Sequence, residues 1–244
     1  MVVEASHRLI LSPPFFVSPQ YVSAPNMKDR DIHACMRFLK QEVRRWKEPV
    51  VGVVAKASCD PFQILISTIL SLRTRDQTTA EASERLFQLA TSPAAMGKLS
   101  ARRIERAIYP VGFYRTKARH IREICRDLLG RYQGHVPDNI PELLTLNGVG
   151  RKTANLVVTL GFRKPGICVD IHVHRISNRW GYIRTRSPAE SEQALRDKLP
   201  KVYWIAYNDL LVPFGQNICT PISPRCSECK LTRYCDRVGV TVSR

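Results

Sequence analysis

The sequence predicts an all-α protein, and three observations support this class. Apolar residues recur at three- and four-residue spacing through most of the chain, as they do on one face of a helix. Helix-starting signals, in which Ser or Asp precedes an apolar run, occur repeatedly. No segment shows a convincing alternation of apolar and polar residues, which is the pattern of a half-buried strand.

The predicted helices begin and end at recognisable residues. Asp60, Asp76 and Ser100 are expected to cap helix starts, because their side chains can accept hydrogen bonds from first-turn N–H groups. Ser187 begins a capping box, and Gly130 stands where one helix is expected to stop. The helix after Asp60 is apolar on nearly every face and is therefore expected at the centre of the protein. The predicted spans are residues 32–46, 61–72, 76–89, 100–108, 117–129, 141–146, 153–162, 171–180, 188–199 and 202–214.

Charge indicates the kind of partner. The 244 residues include 38 basic and 21 acidic side chains, a net charge of +17. Such an excess indicates a polyanionic partner, either nucleic acid or an acidic membrane surface. Hydrophobic residues make up 44%, which excludes a wholly disordered or collagen-like chain. No stretch approaches the roughly 18 unbroken apolar residues of a membrane span.

Cysteine usage indicates a reducing compartment, the cytoplasm or nucleoid. A secreted disulfide scaffold is usually short and cysteine-dense throughout, and this chain is neither. Residues 1–28 are expected to form a flexible extension without an export signal, since Pro13 and Pro14 interrupt their apolar run. Four cysteines are scattered singly and are expected to be buried thiols: Cys35, Cys59, Cys125 and Cys168.

A Gly-Val-Gly turn joins two predicted helices. Gly148 and Gly150 are one residue apart, and both can take positive φ so that the turn approaches a surface closely. Their N–H groups, with Arg151 and Lys152 at the next helix start, form a nest suited to a phosphate. The alternative is an ordinary tight connection between helices. The basic flank in a strongly basic chain favours the phosphate interpretation.

Lys152 and Asp170 are candidates for chemistry. An amine beside a DNA backbone can attack a sugar carbon and form a Schiff base. A carboxylate at the start of another helix can stabilise positive charge developing on a sugar, as glycosidic cleavage requires. Simpler roles remain open, because Lys152 can be a phosphate-binding lysine and Asp170 a helix cap. The chemical interpretation requires the two side chains to share one pocket.

Four further cysteines lie together near the carboxyl terminus. Their spacing, C-x6-C-x2-C-x5-C, lets four thiolates surround one metal centre, and four is the right number for zinc or for a cubane iron–sulfur cluster. Spacing alone decides only weakly between the two. The expected metal ligands are Cys219, Cys226, Cys229 and Cys235.

Residues 29–236 resemble the endonuclease III family of DNA base-excision glycosylases, part of the helix-hairpin-helix superfamily. Residues 146–154 are similar to its hairpin with the catalytic lysine. Residues 169–173 are similar to the segment with its essential aspartate. The cysteine spacing matches the [4Fe–4S] loop of the family at all four positions. These three motifs occur in the family's order.

The resemblance implies two helical domains with a DNA-binding cleft between them. Residues 54–164 would form a six-helix barrel with the helix-hairpin-helix, and residues 29–53 and 165–244 the cluster domain. The chain would act as a monomer on duplex DNA that carries a damaged base or an abasic site, with the damaged nucleotide flipped into a pocket. Lys152 would attack C1′ and hold the sugar as an imine, and Asp170 would assist. The [4Fe–4S] cluster would be structural.

Three further DNA contacts follow from the resemblance. Phe113 matches the apolar wedge that enters the duplex, although it can equally be a core aromatic. Arg73 stands where a glutamine usually fills the gap left by the flipped base, and this departure bears on the preferred opposite base. Arg225 ends the loop of residues 220–225, which is expected to lie against phosphates.

The resulting hypothesis is a bifunctional DNA glycosylase and abasic-site lyase that removes oxidised pyrimidines. One alternative is a mismatch glycosylase that removes thymine or uracil opposite guanine, which Arg73 would permit. Another is a non-catalytic helix-hairpin-helix DNA-binding protein, against which the joint occurrence of Lys152 and Asp170 argues. An electron carrier could use the same cysteines but leaves the hairpin and the charge unexplained.

Overall fold

The computed structural model describes residues 27–46, 49–58 and 60–244, and it confirms the all-α class: no strand occurs in this part of the chain. Most of the predicted extension at residues 1–28 lies outside the described residues. The helices are α1 Asp31–Glu42, α2 Val50–Ser58, α3 Pro61–Ser71, α4 Asp76–Leu89, α5 Pro93–Gly97, α6 Ala101–Ile108, α7 Tyr114–Arg131, α8 Ile140–Leu143, α9 Arg151–Leu156, α10 Ile171–Arg179, α11 Pro188–Lys198 and α12 Trp204–Asn217. One π turn, Val157–Gly161, extends α9.

The buried apolar side chains form two hydrophobic cores. The first core draws on α2 to α9, and α3 lies at its centre with eight buried residues, Phe62 and 64–70. The second core is built from α1 and α10 to α12. The sequence prediction places Val50 and Val51 in the second domain, yet both pack in the first core because α2 lies along α3. The predicted domain boundaries themselves remain a prediction.

Three of the predicted caps are formed. The Asp60 carboxylate accepts from Phe62 N, and the Ser100 hydroxyl accepts from Arg103 N. The Ser187 hydroxyl likewise accepts from Glu190 N at the start of α11. Each cap satisfies an N–H that has no partner within its own helix. The local sequence thus fixes where α3, α6 and α11 begin.

Three predicted helix boundaries are wrong, one at a helix start and two at helix ends. Asp76 is the first residue of α4 and caps nothing there, since the residue at the cap position is Arg75. Gly130 lies inside α7, and the helix ends after Arg131 because Gly134, with φ +81°, donates back to Leu128 O. The first predicted helix stops at Glu42 and continues only as a 3-10 turn.

Three of the four scattered cysteines are buried free thiols, as predicted: Cys35, Cys125 and Cys168. Cys59 lies outside the described residues. Within the described part of the chain, no helix combines the length and the apolar character that crossing a membrane requires.

Candidate functional site

Lys152 and Asp170 meet between the two cores. Lys152 is the second residue of α9, and Asp170 caps α10. One carboxylate oxygen, Oδ1, accepts from His172 N at 2.8 Å and from Val173 N at 3.0 Å. The other, Oδ2, lies 3.6 Å from Lys152 Nζ. Asp170 therefore serves as a helix cap and faces the amine at the same time, so the two alternatives for this residue are compatible.

The pair opens into a cleft of about 550 Å³. This volume is typical of a pocket for a small ligand. The Lys152 side chain is 40% exposed and Asp170 only 8%, so the amine is accessible while the carboxylate is held in place. Polar residues lining the cleft include Ser71, Arg73, Asp76, Lys152, Asp170, His172, Asp209 and Gln216. The requirement that amine and carboxylate share one accessible pocket is met.

Arg151, predicted to bind phosphate, forms an ion pair with Glu192 in the structure. Its Nε and Nη2 donate to the two Glu192 oxygens, each at 2.8 Å. Arg196 donates to the same carboxylate, which is 4% exposed. Burial acts to raise the pKa of Glu192, but the hydrogen bonds from Arg151 and Arg196 outweigh it and hold that pKa below its usual range. The pair joins α9 to α11, which leaves only one edge of the Arg151 guanidinium for any phosphate.

The two hairpin glycines have different roles. Gly148 has φ +79°, and a Cβ there would stand 2.5 Å from His120 Nδ1, so both backbone and space require glycine. Gly150 has φ −96°, which corrects the expectation that both glycines take positive φ. A Cβ at Gly150 would meet nothing within 4 Å. Gly150 therefore leaves open surface at the start of α9.

Arg73 and Phe113 come together at the tips of two turns. The Arg73 guanidinium lies 5.8 Å from the centroid of the Phe113 ring. Phe113 is 63% exposed, so the alternative that it is a core aromatic is wrong. Both residues have positive φ, 52° and 57°, a conformation that non-glycine residues rarely adopt. The predicted wedge, Phe113, and the predicted gap-filling residue, Arg73, thus form one exposed unit.

The helix that begins at Asp170 also carries the residues that hold the cysteine loop. Arg175 donates to Cys219 O at 2.8 Å, and its Nη2 lies 3.0 Å from His172 Nδ1. Arg179 donates to Thr220 O at 2.6 Å and, at 3.4 Å, to Cys219 Sγ. Burial lowers the pKa of His172 below its ordinary range. α10 therefore links the cleft to the cysteine loop.

The four clustered cysteines line one cavity together with Arg225: Cys219, Cys226, Cys229 and Cys235. Among the described residues, no three His, Cys, Asp or Glu side chains converge as ligands of a metal ion. Four thiols around one cavity are of the residue type that holds a soft metal centre, either zinc or an iron–sulfur cluster. Arg237 N donates to Cys235 Sγ at 3.4 Å.

Arg225 stands at the rim of this cysteine loop. Its backbone N–H donates to Ile218 O, and its guanidinium is 3.7 Å from Glu228. The side chain is 46% exposed. It is therefore accessible at the position that the resemblance predicts.

Sequence reasoning missed several residues that organise this region. Lys117 and Glu192 are charged side chains on the buried faces of α7 and α11. The signal was present, since Lys117 is four residues before Ile121 and Glu192 three before Leu195, on the apolar stripe. Arg175 and Arg179 carry no such signal, because their acceptors are distant backbone carbonyls.

Comparison with known proteins gives a family. Residues 66–201 match the model of the HhH-GPD superfamily of base excision DNA repair proteins. The chain is 49% identical over 177 residues to endonuclease III of Thermotoga maritima, covering 72% of this chain and 83% of that protein.

Solved structures agree with this assignment. A trapped endonuclease III–DNA covalent intermediate is 32% identical, with a TM-score of 0.75 over 86% of this chain and 97% of that one. A thermostable thymine-DNA glycosylase is 25% identical, with a TM-score of 0.73 over 86% and 96%. The chain therefore belongs to the HhH-GPD superfamily of base excision DNA repair proteins and, within it, to the endonuclease III family.

Proposed function

We propose that Lys152 and Asp170 carry the DNA glycosylase and abasic-site lyase activity of this family member, and that its substrates are oxidised pyrimidines in duplex DNA. The observation that carries the proposal is the 3.6 Å approach of Lys152 Nζ to Asp170 Oδ2 inside an open cleft. An accessible amine beside a fixed carboxylate is the arrangement that Schiff-base chemistry on a sugar needs.

The reaction uses the two side chains in sequence. The Lys152 nitrogen forms a bond to C1′ of the damaged nucleotide and releases a proton while the C1′–N bond breaks, and the base departs with the electron pair of that bond. Asp170 stabilises the positive charge that develops on the sugar during this step. The C1′–O4′ bond then breaks as the nitrogen electron pair forms an imine between Lys152 and C1′, and O4′ takes up the proton that the amine released. Loss of a proton from C2′ then expels the 3′ phosphate, which cleaves the strand.

Duplex DNA would lie across the cleft between the two cores. Gly148, Gly150 and the start of α9 would approach one phosphate, and Arg225 would approach another. Phe113 would enter the duplex as a wedge, and Arg73 would occupy the place of the extruded nucleotide. The net charge of +17 supports a polyanionic partner. A DNA substrate and reduced thiols together favour a compartment that holds DNA.

The four cysteines would hold a [4Fe–4S] cluster: Cys219, Cys226, Cys229 and Cys235. When bound, the cluster supplies a rigid scaffold and no step of base removal. Arg175 and Arg179 already fasten the adjoining loop through its carbonyls. Iron and sulfide analysis of the purified protein tests the assignment: we expect four of each per chain, and stoichiometric zinc would contradict it.

One observation favours a second candidate, removal of thymine or uracil opposite guanine. Arg73 offers only donors, and an unpaired guanine presents the acceptor O6 on the Watson–Crick edge that faces the gap. A gap-filling arginine therefore suits an unpaired guanine. Structural similarity to a thymine-DNA glycosylase agrees with this alternative.

Borohydride trapping on a duplex with an abasic site tests the central claim. Wild-type protein should form a covalent adduct, and Lys152→Ala should form none. Lys164→Ala is the matched control, because Lys164 is also a half-exposed lysine that pairs with an aspartate, Asp138, but lies outside the cleft. Its adduct yield should equal that of wild type.

The substrate is tested separately with a panel of duplexes. Each carries an oxidised pyrimidine, thymine or uracil opposite each of the four bases, and base release is measured under single-turnover conditions. Fastest release of oxidised pyrimidines supports the proposal. Fastest release of thymine or uracil opposite guanine supports the second candidate instead. An absence of adduct from folded, DNA-binding wild type would reject the Schiff-base chemistry and would indicate a monofunctional glycosylase or a DNA-binding protein without catalysis.

A further inference from the structure

Lys117 is a buried lysine that the proposed chemistry does not use. It lies on α7 with only 5% of its surface exposed. Its ammonium donates to Leu70 O at 2.8 Å, to Leu72 O at 2.5 Å and to Thr74 Oγ1 at 3.1 Å. Burial lowers its pKa to about 8. Among the described residues its acceptors all belong to a single turn and include no carboxylate, which is unusual for a lysine held in the interior.

These acceptors fix the end of α3 and the turn that follows. The carbonyls of Leu70 and Leu72 lie where the last residues of a helix have no intrahelical partner. Lys117 satisfies both carbonyls and places a positive charge at the helix carboxyl end, where the helix dipole favours it. Thr74 Oγ1 also accepts from Gly112 N at 3.2 Å, so the same hydroxyl joins this turn to the one before Phe113.

Arg73 sits between these anchors. Its φ of 52° is a strained conformation that persists only where the surroundings determine it. Its carbonyl lies 2.7 Å from where a Cβ on Gly112 would stand, so the two turns interlock closely. Lys117 is therefore at the base of the turn that holds the Arg73 guanidinium over Phe113.

We propose that Lys117 is a positioning residue: its ammonium locks residues 70–74 so that Arg73 meets the base opposite the lesion in one geometry. Discrimination between opposite bases then depends on Lys117 through Arg73. The proposal rests on the proposed function, because it assigns a role within DNA recognition. Lys117 makes no contact with Lys152 or Asp170, so base discrimination and Schiff-base formation are separable.

The test compares Lys117→Met, Arg73→Ala and the double variant. Single-turnover base release is measured on duplexes with the preferred lesion opposite each of the four bases, and the ratio of fastest to slowest gives the discrimination. We expect Lys117→Met to reduce this ratio about tenfold, as for loss of one base-reading contact. The double variant should match Arg73→Ala, because Lys117 acts through Arg73. Additive losses, or an unchanged ratio in Lys117→Met, would overturn the proposal, as would a wild type that does not discriminate.

Two further measurements separate positioning from general damage. Borohydride trapping of a single-stranded abasic oligonucleotide, which has no opposite base, reports on Lys152 alone and should stay within about threefold of wild type in Lys117→Met. Cys125→Ala, a truncation in the same core and on the same helix, should lower stability and leave discrimination unchanged. Equal loss of discrimination in Cys125→Ala would show that the effect is general damage.

Thr74→Val tests the same turn if Lys117→Met does not fold. It removes the hydroxyl shared by Lys117 and Gly112 and should also reduce discrimination, by a smaller factor. Unchanged discrimination in Thr74→Val would count against the proposal. If wild type itself forms no adduct, the proposed function fails, whereas normal trapping with unchanged discrimination in both variants defeats only the role of Lys117.

Discussion

Arg151 and Lys152 are neighbours at the start of α9, and each pairs with an acid from the second core, yet the two pairs differ in geometry and burial. Arg151 makes two hydrogen bonds of 2.8 Å to Glu192, which is 4% exposed. Lys152 lies 3.6 Å from Asp170 and is 40% exposed. One turn of helix holds 3.6 residues, so neighbours point about 100° apart. Arg151 therefore faces α11 and Lys152 faces the cleft.

The comparison shows which kind of ion pair stabilises the fold and which kind leaves an amine available to react. A buried bidentate pair is rigid, and removal of one partner leaves an uncompensated charge. A long, partly solvated pair is worth little to stability, so its amine is free to react with another group. We expect substitutions of the first pair to change stability and those of the second to change rate.

The largest effect is expected from Lys152→Ala. The rate of base release should fall by about 10³-fold or more, equivalent to about 4 kcal/mol of activation free energy, because the nucleophile is gone. The free energy of unfolding should change by no more than about 0.5 kcal/mol. Single-turnover base release and urea unfolding measure the two quantities. A rate within tenfold of wild type would contradict the assignment.

Glu192→Gln should lower stability and leave the rate of base release nearly unchanged, which is the reverse of the result expected for Lys152→Ala. The neutral amide keeps the shape of the side chain but leaves Arg151 and Arg196 without their buried counter-charge. We expect a loss of about 3 kcal/mol in the free energy of unfolding at pH 7. The single-turnover rate of the folded protein should stay within about threefold of wild type. A selective loss of rate with normal stability would place Glu192 in the chemistry instead.

The stability that the Glu192 ion pair contributes should depend on pH, and the pKa shift of Glu192 gives the direction. Because the pKa of Glu192 is lower in the folded protein than its ordinary value of 4.5, the stability it contributes is present above pH 4.5 and is lost as the pH falls through the folded pKa. Urea unfolding at a series of pH values should show that the difference in the free energy of unfolding between wild type and Glu192→Gln becomes smaller below about pH 4.5. A difference independent of pH would mean that the charge of Glu192 is irrelevant.

Asp170→Asn should affect mainly rate. Asparagine caps a helix about as well as aspartate, so stability should change by less than about 1 kcal/mol. Base release should slow by about 10²-fold, because the negative charge beside Lys152 is lost while the shape remains. The melting temperature and the single-turnover rate distinguish these outcomes. A large drop in stability with little change in rate would mean that Asp170 acts only as a helix cap.

The smallest effect is expected from Arg196→Gln. Arg196 is the second donor to Glu192 and lies 5.3 Å from the Trp204 ring, but Arg151 still compensates the buried charge. We expect a loss of about 1 kcal/mol in the free energy of unfolding and no change in rate. A loss as large as that of Glu192→Gln would show that Arg151 contributes little to the pair.

Local sequence signals predicted the parts of this protein that local chemistry fixes. Asp60, Ser100 and Ser187 cap their helices because the partner N–H groups lie two or three residues away. The predicted end at Gly130 failed because the turn at Gly134, which local sequence did not single out, ends α7 instead. The helix α2 was missed because its short apolar run has no clear cap in the sequence.

In the candidate site, too, the sequence indicated some residues, whereas the roles of others depend on partners that are distant in the chain. The residue types and spacing left simple and chemical roles open for Lys152 and Asp170, the family resemblance implied that they are the reactive pair, and the fold brings them to 3.6 Å. The ion pair of Arg151 could not be predicted, because Glu192 is 41 residues away in the sequence and the two side chains meet only in the folded protein. Lys117 likewise gains its role from carbonyls more than forty residues away.

The sequence by itself determined the all-α class, three helix starts and the family motifs, because each depends on residues close together in the chain. Only the tertiary structure decided which of two adjacent basic side chains enters the cleft and which one joins the two cores. The reason is geometric, because adjacent residues of α9 point in different directions. The Arg151–Glu192 pair is rigid because Glu192 is buried, whereas the Lys152–Asp170 pair is long and its amine is partly solvated.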